Sequence, residues 1–237
     1  MILSLLQDSS FITTMRQTIL SLLQPAFPSP FVTVAMCCAI VAVCGLGDHL
    51  LVKTYSIKQS SRLLRALIDN SSHALIGGLS WAVVEGPALF TGSRAWLHCV
   101  LCTAIASAVD VDHFLASGTF RLEKALKLRG RPPFHNTGLL VLAVIVCWGL
   151  RGWHRSFSLL ALMLLVGGLS HQLRDGHRRG LWVLPHGSSP PLSAGVYRGL
   201  IVLLALCARL LYCRGWGMAM EDVGGREKYY HRPTEMV

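Results

Sequence analysis

The chain has 237 residues, 52% hydrophobic and only 14% charged, with ten more basic than acidic side chains. A soluble domain carries roughly 25% charged residues, so the composition excludes an ordinary soluble fold and predicts one integral membrane domain. The basic surplus points to anionic lipid headgroups as the partner. No aromatic stacking motif accompanies the basic residues, which argues against nucleic acid.

In chain order, residues 1–30 open with an amphipathic run from Met1 to Leu23 whose one basic group is Arg16. The run lacks the cationic start and small-residue cleavage site of a signal peptide, so it is expected to lie in the interface and end at Pro25, Pro28 and Pro30. A helix needs about 20 mainly apolar residues to span a bilayer. Six stretches approach that length, near 32–52, 73–90, 95–116, 137–153, 157–173 and 194–213. The expected fold is therefore an all-α, polytopic transmembrane helical bundle of about six helices over residues 31–213. The fourth and fifth stretches are short and tightly joined, leaving five or seven crossings as alternatives. Residues 214–237 read as a polar, disordered tail. The eight cysteines lie in or beside the apolar blocks and read as packed free thiols, not as a disulfide framework. Cys99 and Cys102 form a lone C-x-x-C, too little for a zinc ribbon.

Six crossings put the first, third and fifth hairpin loops on one side. These carry Lys53, Lys58, Arg62 and Arg65, then Arg121, Lys124, Lys127, Arg129 and Arg131, then Arg174, Arg178, Arg179 and Arg198. The other side has Arg16, Arg94, Arg151 and Arg155, plus a charge-balanced tail. The positive-inside rule makes the first side cytosolic.

The same side collects the polar clusters. Asp69 and His73 stand four apart, as do His171 and Asp175, which places both members of each pair on one helical face. Asp110 and His113 share a face three apart, whereas Asp112 points elsewhere unless the helix unwinds there. His135 follows Pro132-Pro133 and opens the fourth stretch; Asp48 and His49 add a further polar spot without a clear role. Carboxylates and imidazoles crowded at a membrane edge repel one another and lose hydration, and a bound cation removes both penalties. Mixed imidazole and carboxylate ligands suit a divalent metal, zinc or manganese first. His73, Asp110, His113, His135, His171 and Asp175 are the expected ligands.

Two resemblances attach to these residues. Asp110-Val111-Asp112-His113, His135, and Ser170-His171 with Asp175 ahead of Gly180 to Pro185 resemble the D-x-D-H, H-R-G-x-T-H and S-H-x-x-x-D elements of bacterial inner-membrane, YdjM-type metal-dependent hydrolases. Gly130 stands where that family has the first histidine of its second element. Residues 40 to 215 are more closely similar to the vertebrate transmembrane protein 267 family, through Arg65 to Asn70, Ser80 to Val84, Val109 to Phe114, and Arg174 to Trp182.

The bacterial resemblance implies a metal-dependent hydrolase that attacks an ester or phosphoester, possibly of a lipid, at the cytosolic membrane face. A bound metal would activate water. Asp112 or Asp69 would serve as general base, and Arg129, Arg131, Arg174 and Arg178 would hold an anionic substrate. A non-catalytic membrane protein that keeps a structural metal or polar site is the rival reading. A metal transporter ranks below both, because the clusters sit at one face rather than along a midplane path.

Overall fold

A computed structural model describes residues 30–56, 62–90, 92–128 and 130–214. The amino-terminal amphipathic segment, the polar tail and Arg129 lie outside the described residues. The described chain is an all-α helical bundle, with helices α1 (Pro30–Ser56), α2 (Arg62–Glu85), α3 (Ser93–Ala108), α4 (Val111–Ser117), α5 (Leu122–Ala125), α6 (Thr137–Gly149), α7 (Ser156–Met163), α8 (Leu169–Arg179) and α9 (Ala194–Cys213). A two-stranded antiparallel hairpin, β1 (Trp182–Val183) with β2 (Gly187–Ser188), precedes α9.

Among the described residues, four rods are long and apolar enough to cross a membrane: α1, α3 with α4 (Ser93–Ser117), α7 with α8 (Ser156–Arg179), and α9. Two of the six expected crossings differ from the sequence reading. The second starts at Arg62 rather than near residue 73 and carries Arg62, Arg65, Asp69 and Glu85; its charge is tolerated because α2 is the central helix, flanked by α1, α3, α8 and α9. Polar groups inside a membrane protein face the bundle interior in this way. The fourth, Thr137–Gly152, is apolar but short for a full span.

Lipid tails are as apolar as leucine, so helices in a membrane associate through close packing at small residues rather than through a hydrophobic drive. Gly77 of α2 is such a point. A Cβ there would lie 2.5 Å from the Ala106 Cβ and 3.1 Å from the Cys102 carbonyl oxygen of α3. A Cβ on Gly167 would come within 3.1 Å of the same oxygen. The two glycines meet at this one carbonyl and draw three helices together one turn from the polar clusters. Gly167 also lies in a π-helical turn, Leu164–Gly168, that joins α7 to α8; such turns shift the helix register and recur at functional sites. Here the shift immediately precedes Ser170 and His171. On the outer surface, Leu97, Val100, Leu142 and Ile145 are exposed, as lipid-facing side chains should be.

Candidate metal centre

His135 ends a single 3-10 turn, Pro133–His135, too short to hold its own place, so its position has to be fixed by tertiary hydrogen bonds. The Phe134 N–H donates to Asp112 Oδ2 at 2.7 Å, and Gln172 Nε2 donates to the Phe134 carbonyl at 2.9 Å. Arg131 donates to the carbonyls of Arg179, by a short contact, and of Gly180, at 2.9 Å. An isolated bridge pairs Asn136 with Trp182, and the Asn136 side chain caps α6 by accepting from the Leu139 N–H. Gly180 makes the turn beside Arg131 possible: its φ is +72°, and a Cβ there would fall on the Ser189 carbonyl oxygen at 1.8 Å.

The chain also breaks between α3 and α4, at Val109 and Asp110. That break sends the two carboxylates of D-x-D-H in different directions. Asp110 meets His135 and His171, whereas the buried Asp112 lies behind His135, 3.3 Å from its Nδ1.

Two imidazole nitrogens then face each other, with the carboxylates of Asp110 and Asp175 each close to both. His171 Nε2 lies 3.3 Å from His135 Nε2, 3.7 Å from Asp110 Oδ1 and 3.8 Å from Asp175 Oδ2. His135 Nε2 is 3.4 Å from both carboxylate oxygens. A tetrahedral zinc with bonds of about 2.0–2.2 Å separates its ligands by about 3.3–3.6 Å. These distances, between 3.3 and 3.8 Å, fit that shell with a few tenths of an ångström to spare. The far sides of both rings are held as well. His171 Nδ1 meets the Ala106 carbonyl at 2.8 Å and His135 Nδ1 meets Asp112, which fixes the ring orientations that a metal-binding imidazole needs.

His135 lies in the loop outside the spanning helices. Burial would lower its pKa, but the surrounding Asp110, Asp112 and Asp175 outweigh that and push it up to about 11. The centre attracts positive charge strongly.

Comparison with known proteins adds a family. Transmembrane protein 267 of Danio rerio is 36% identical over 181 residues, which cover 73% of this chain and 78% of that one. The Mus musculus protein of the same name is 35% identical over 190 residues, 76% of this chain and 87% of its own length. The chain belongs to the transmembrane protein 267 family. The Bos taurus member is similar at 35% over 188 residues. No family model and no solved structure matches the chain. The relatives' name carries membrane residence and nothing more, which agrees with the apolar rods and makes the chain a multi-pass membrane protein.

The remaining expected site residues divide. His73 reaches the centre: its ring stacks on His171 with centroids 3.7 Å apart, and its Nε2 lies 3.4 Å from Asp175 Oδ1. His113 stands on the open side, with Nδ1 3.2 Å from Asp112 Oδ1 and 3.9 Å from Asp110 Oδ1. Asp69 is close but engaged, because Arg174 Nη1 lies 2.5 Å from its Oδ1 and Arg178 binds both of its oxygens, at 2.8 and 3.1 Å. A carboxylate holding two guanidiniums is a poor proton acceptor, which counts against Asp69 as general base. Asp112 uses its Oδ2 on the Phe134 N–H and His135.

Arg174 departs furthest from expectation. Sequence places it in a basic loop facing substrate; in the fold it belongs to α8 and is 1% exposed, with its guanidinium spent on Asp69, on Asp48 at 3.5 Å and on His73 Nε2 at 3.2 Å. Its role is internal. Arg131 and Arg178 do line the pocket beside the centre, a cavity of about 530 Å³. Asp110, His113, His135 and Asp175 form part of its polar wall; Leu51, Leu63, Leu67, Phe114, Leu122 and Leu126 form an apolar one. Arg62, Arg65 and Arg179, which the site expectation omitted, also face it. Their signal was present in the sequence as loop charge, and only the helix packing turns that charge inward.

Proposed function

We propose that this protein is a metal-dependent hydrolase acting on an anionic ester or phosphoester, most simply that of a lipid, at the cytosolic membrane face. The observation that carries the reading is the imidazole pair His135 Nε2 and His171 Nε2, 3.3 Å apart, with Asp110 Oδ1 and Asp175 Oδ2 each within 3.8 Å of both, beside a pocket with an apolar wall and a charged one. A divalent ion held there, zinc or manganese, supplies Lewis acidity towards water and towards a phosphoryl or acyl oxygen. The protein's own part is to hold and orient. Asp112 and the Ala106 carbonyl fix the two imidazoles, and Arg131, with Arg65 and Arg179, offers charge to an anionic head, while the leucine wall takes the chain attached to it. His113, at the pocket edge beside Asp112, is the imidazole best placed to accept a proton there. The motif resemblance to YdjM-type hydrolases supports the same class. The position where that family has a further histidine, Gly130, is exposed, with nothing within 4 Å of a Cβ, so its loss leaves the four-atom grouping complete.

The rival, a structural metal site, is favoured by one observation: two imidazoles with two carboxylates close to both offer the four protein ligands of a closed, structural zinc shell. Metal analysis of the purified full-length protein beside an Asp110→Ala/His171→Ala double variant decides the first step. Equal, negligible zinc and manganese in both ends the metal reading. Turnover on a panel of phospholipids, present in wild type and lost in the double variant, supports the hydrolase; bound metal with no turnover on any of them leaves the structural site.

A further inference from the structure

Beside the grouping around His135 and His171 lies a second one. One ligand atom each from Asp69, His73 and Asp175 lie within 4.8 Å of one another, and Asp175 spans both groups, with Oδ2 towards His135 and His171 and Oδ1 towards His73. A carboxylate shared in this way is how two-metal sites are bridged, with ions about 3.5–4 Å apart. In this chain, however, cations already occupy the second group. Arg174 Nη1 sits 2.5 Å from Asp69 Oδ1 and 3.2 Å from His73 Nε2, and Arg178 Nη2 sits 2.5 Å from Asp175 Oδ1 and 3.1 Å from Asp69 Oδ1. Two further groupings, Asp110 with His113 and His135 and His73 with Asp110 and His171, each reuse two residues of the first and so offer other seats for the same ion.

Charge points the same way. Asp69, Asp110, Asp112 and Asp175 supply four negative charges to the cluster, and Arg174 and Arg178 supply two positive ones. Asp48, 3.5 Å from Arg174, adds one negative charge and Arg198, 3.1 Å from Asp48, adds one positive, so this pair leaves the balance unchanged. The two charges left over match one divalent ion with neutral imidazoles, and a second divalent ion would leave the buried cluster with two excess positive charges. Uncompensated charge is costly in such surroundings.

We propose that the centre takes a single divalent metal, and that the guanidiniums of Arg174 and Arg178 stand in the place of a second one. Arg174, buried, is a positioning residue that fixes Asp69 and His73. Arg178 is 38% exposed and lines the pocket, so it presents the positive charge that a second metal would offer to an anionic substrate. This rests on the metal reading above.

The test is metal stoichiometry of the full-length protein in detergent, stripped with chelator and titrated calorimetrically with zinc or manganese alone. One ion per chain supports the proposal. Two ions overturn it and leave the metal reading intact, whereas none overturns both. Arg178→Gln gives a second readout that does not need turnover. Losing a unit positive charge beside a divalent ion is expected to tighten metal binding by about tenfold or more, and Arg178→Lys should return it towards wild type. Unchanged or weaker binding in Arg178→Gln, in protein whose helicity matches wild type, overturns the assignment of Arg178 as a replacement cation.

Discussion

Among the described residues the bundle brings carboxylate and imidazole together at two places, and one of the two has the makings of a site. Glu85, at the carboxyl end of α2, accepts from Trp81 Nε1 at 3.1 Å and from the Tyr212 hydroxyl at 3.0 Å, and meets His98 Nδ1 at 2.7 Å. Sixteen residues earlier, roughly 24 Å along the helix, Asp69 and His73 enter a cluster with four carboxylates and facing imidazole nitrogens 3.3 Å apart. One carboxylate with three partners closes on itself. Four carboxylates around His135 and His171 leave negative charge over, and that residue of charge asks for a cation. Electrostatic balance, not polarity alone, separates a staple from a site.

The largest expected effect follows from that balance. Asp110→Ala/His171→Ala should abolish metal binding and lower any hydrolysis by at least about 100-fold, whereas His98→Ala should leave the metal content unchanged. Loss of metal in His98→Ala would collapse the distinction. Asp112→Asn comes next. It keeps an acceptor for the Phe134 N–H but removes the charge behind His135, so metal affinity should fall by about 10- to 100-fold while the fold survives; equilibrium dialysis with zinc measures it.

A smaller, graded effect should appear with pH. His135 must be neutral to bind a metal, yet in the metal-free centre its pKa is pushed up to about 11, above the ordinary 6.5. Its proton therefore stabilises the metal-free fold fully below about pH 6.5, and that contribution is lost as pH rises through about 11. Metal has to displace this proton, so apparent affinity should rise about tenfold per pH unit between pH 7 and 9, with close to one proton released. Titration calorimetry in buffers of different ionisation enthalpy counts the proton, and a flat profile would show that His135 is no ligand. At the other end, Glu85→Leu removes the acceptor for Trp81 and Tyr212. Orphaned buried donors cost about 1–3 kcal/mol, but hydrogen bonds in a membrane protein average nearer 0.6 kcal/mol. A loss of about 1 kcal/mol, read as a modest thermal shift with metal retained, is the expectation.

Much of the centre was legible because its pairs are local. Asp69 with His73 and His171 with Asp175 follow from a spacing of four, and their convergence from counting crossings. The break at Val109 and Asp110 was legible only as a condition on where Asp112 points. Arg174 was not legible: its partners Asp69 and Asp48 lie more than 100 residues away, and nothing in a run of basic residues marks which one the bundle will enclose. Nor was the link from Asp48 to the Tyr197 hydroxyl and Arg198, which gives Asp48 a role that its neighbours in sequence do not suggest. The start of α2 at Arg62 was hidden by the very charged residues that build the site, so the second crossing was read only from near residue 73.

The smallest expected effect is an absence of change, and it tests which way the two ends face. Asn70-Ser71-Ser72 is an N-glycosylation sequon that lines the pocket at the charged end of the bundle. The Asn70 side-chain oxygen accepts from the Ser107 hydroxyl at 3.0 Å, so its amide is tied to α3 beside the membrane. If the basic loops face the cytosol, glycosylating enzymes never meet it, and Asn70→Gln should leave the mass of protein expressed in mammalian cells unaltered. An endoglycosidase-sensitive mass that vanishes in Asn70→Gln would reverse the orientation. The metal centre would then face the lumen and the Glu85 staple the cytosol, and a cytosolic lipid headgroup could no longer be the substrate.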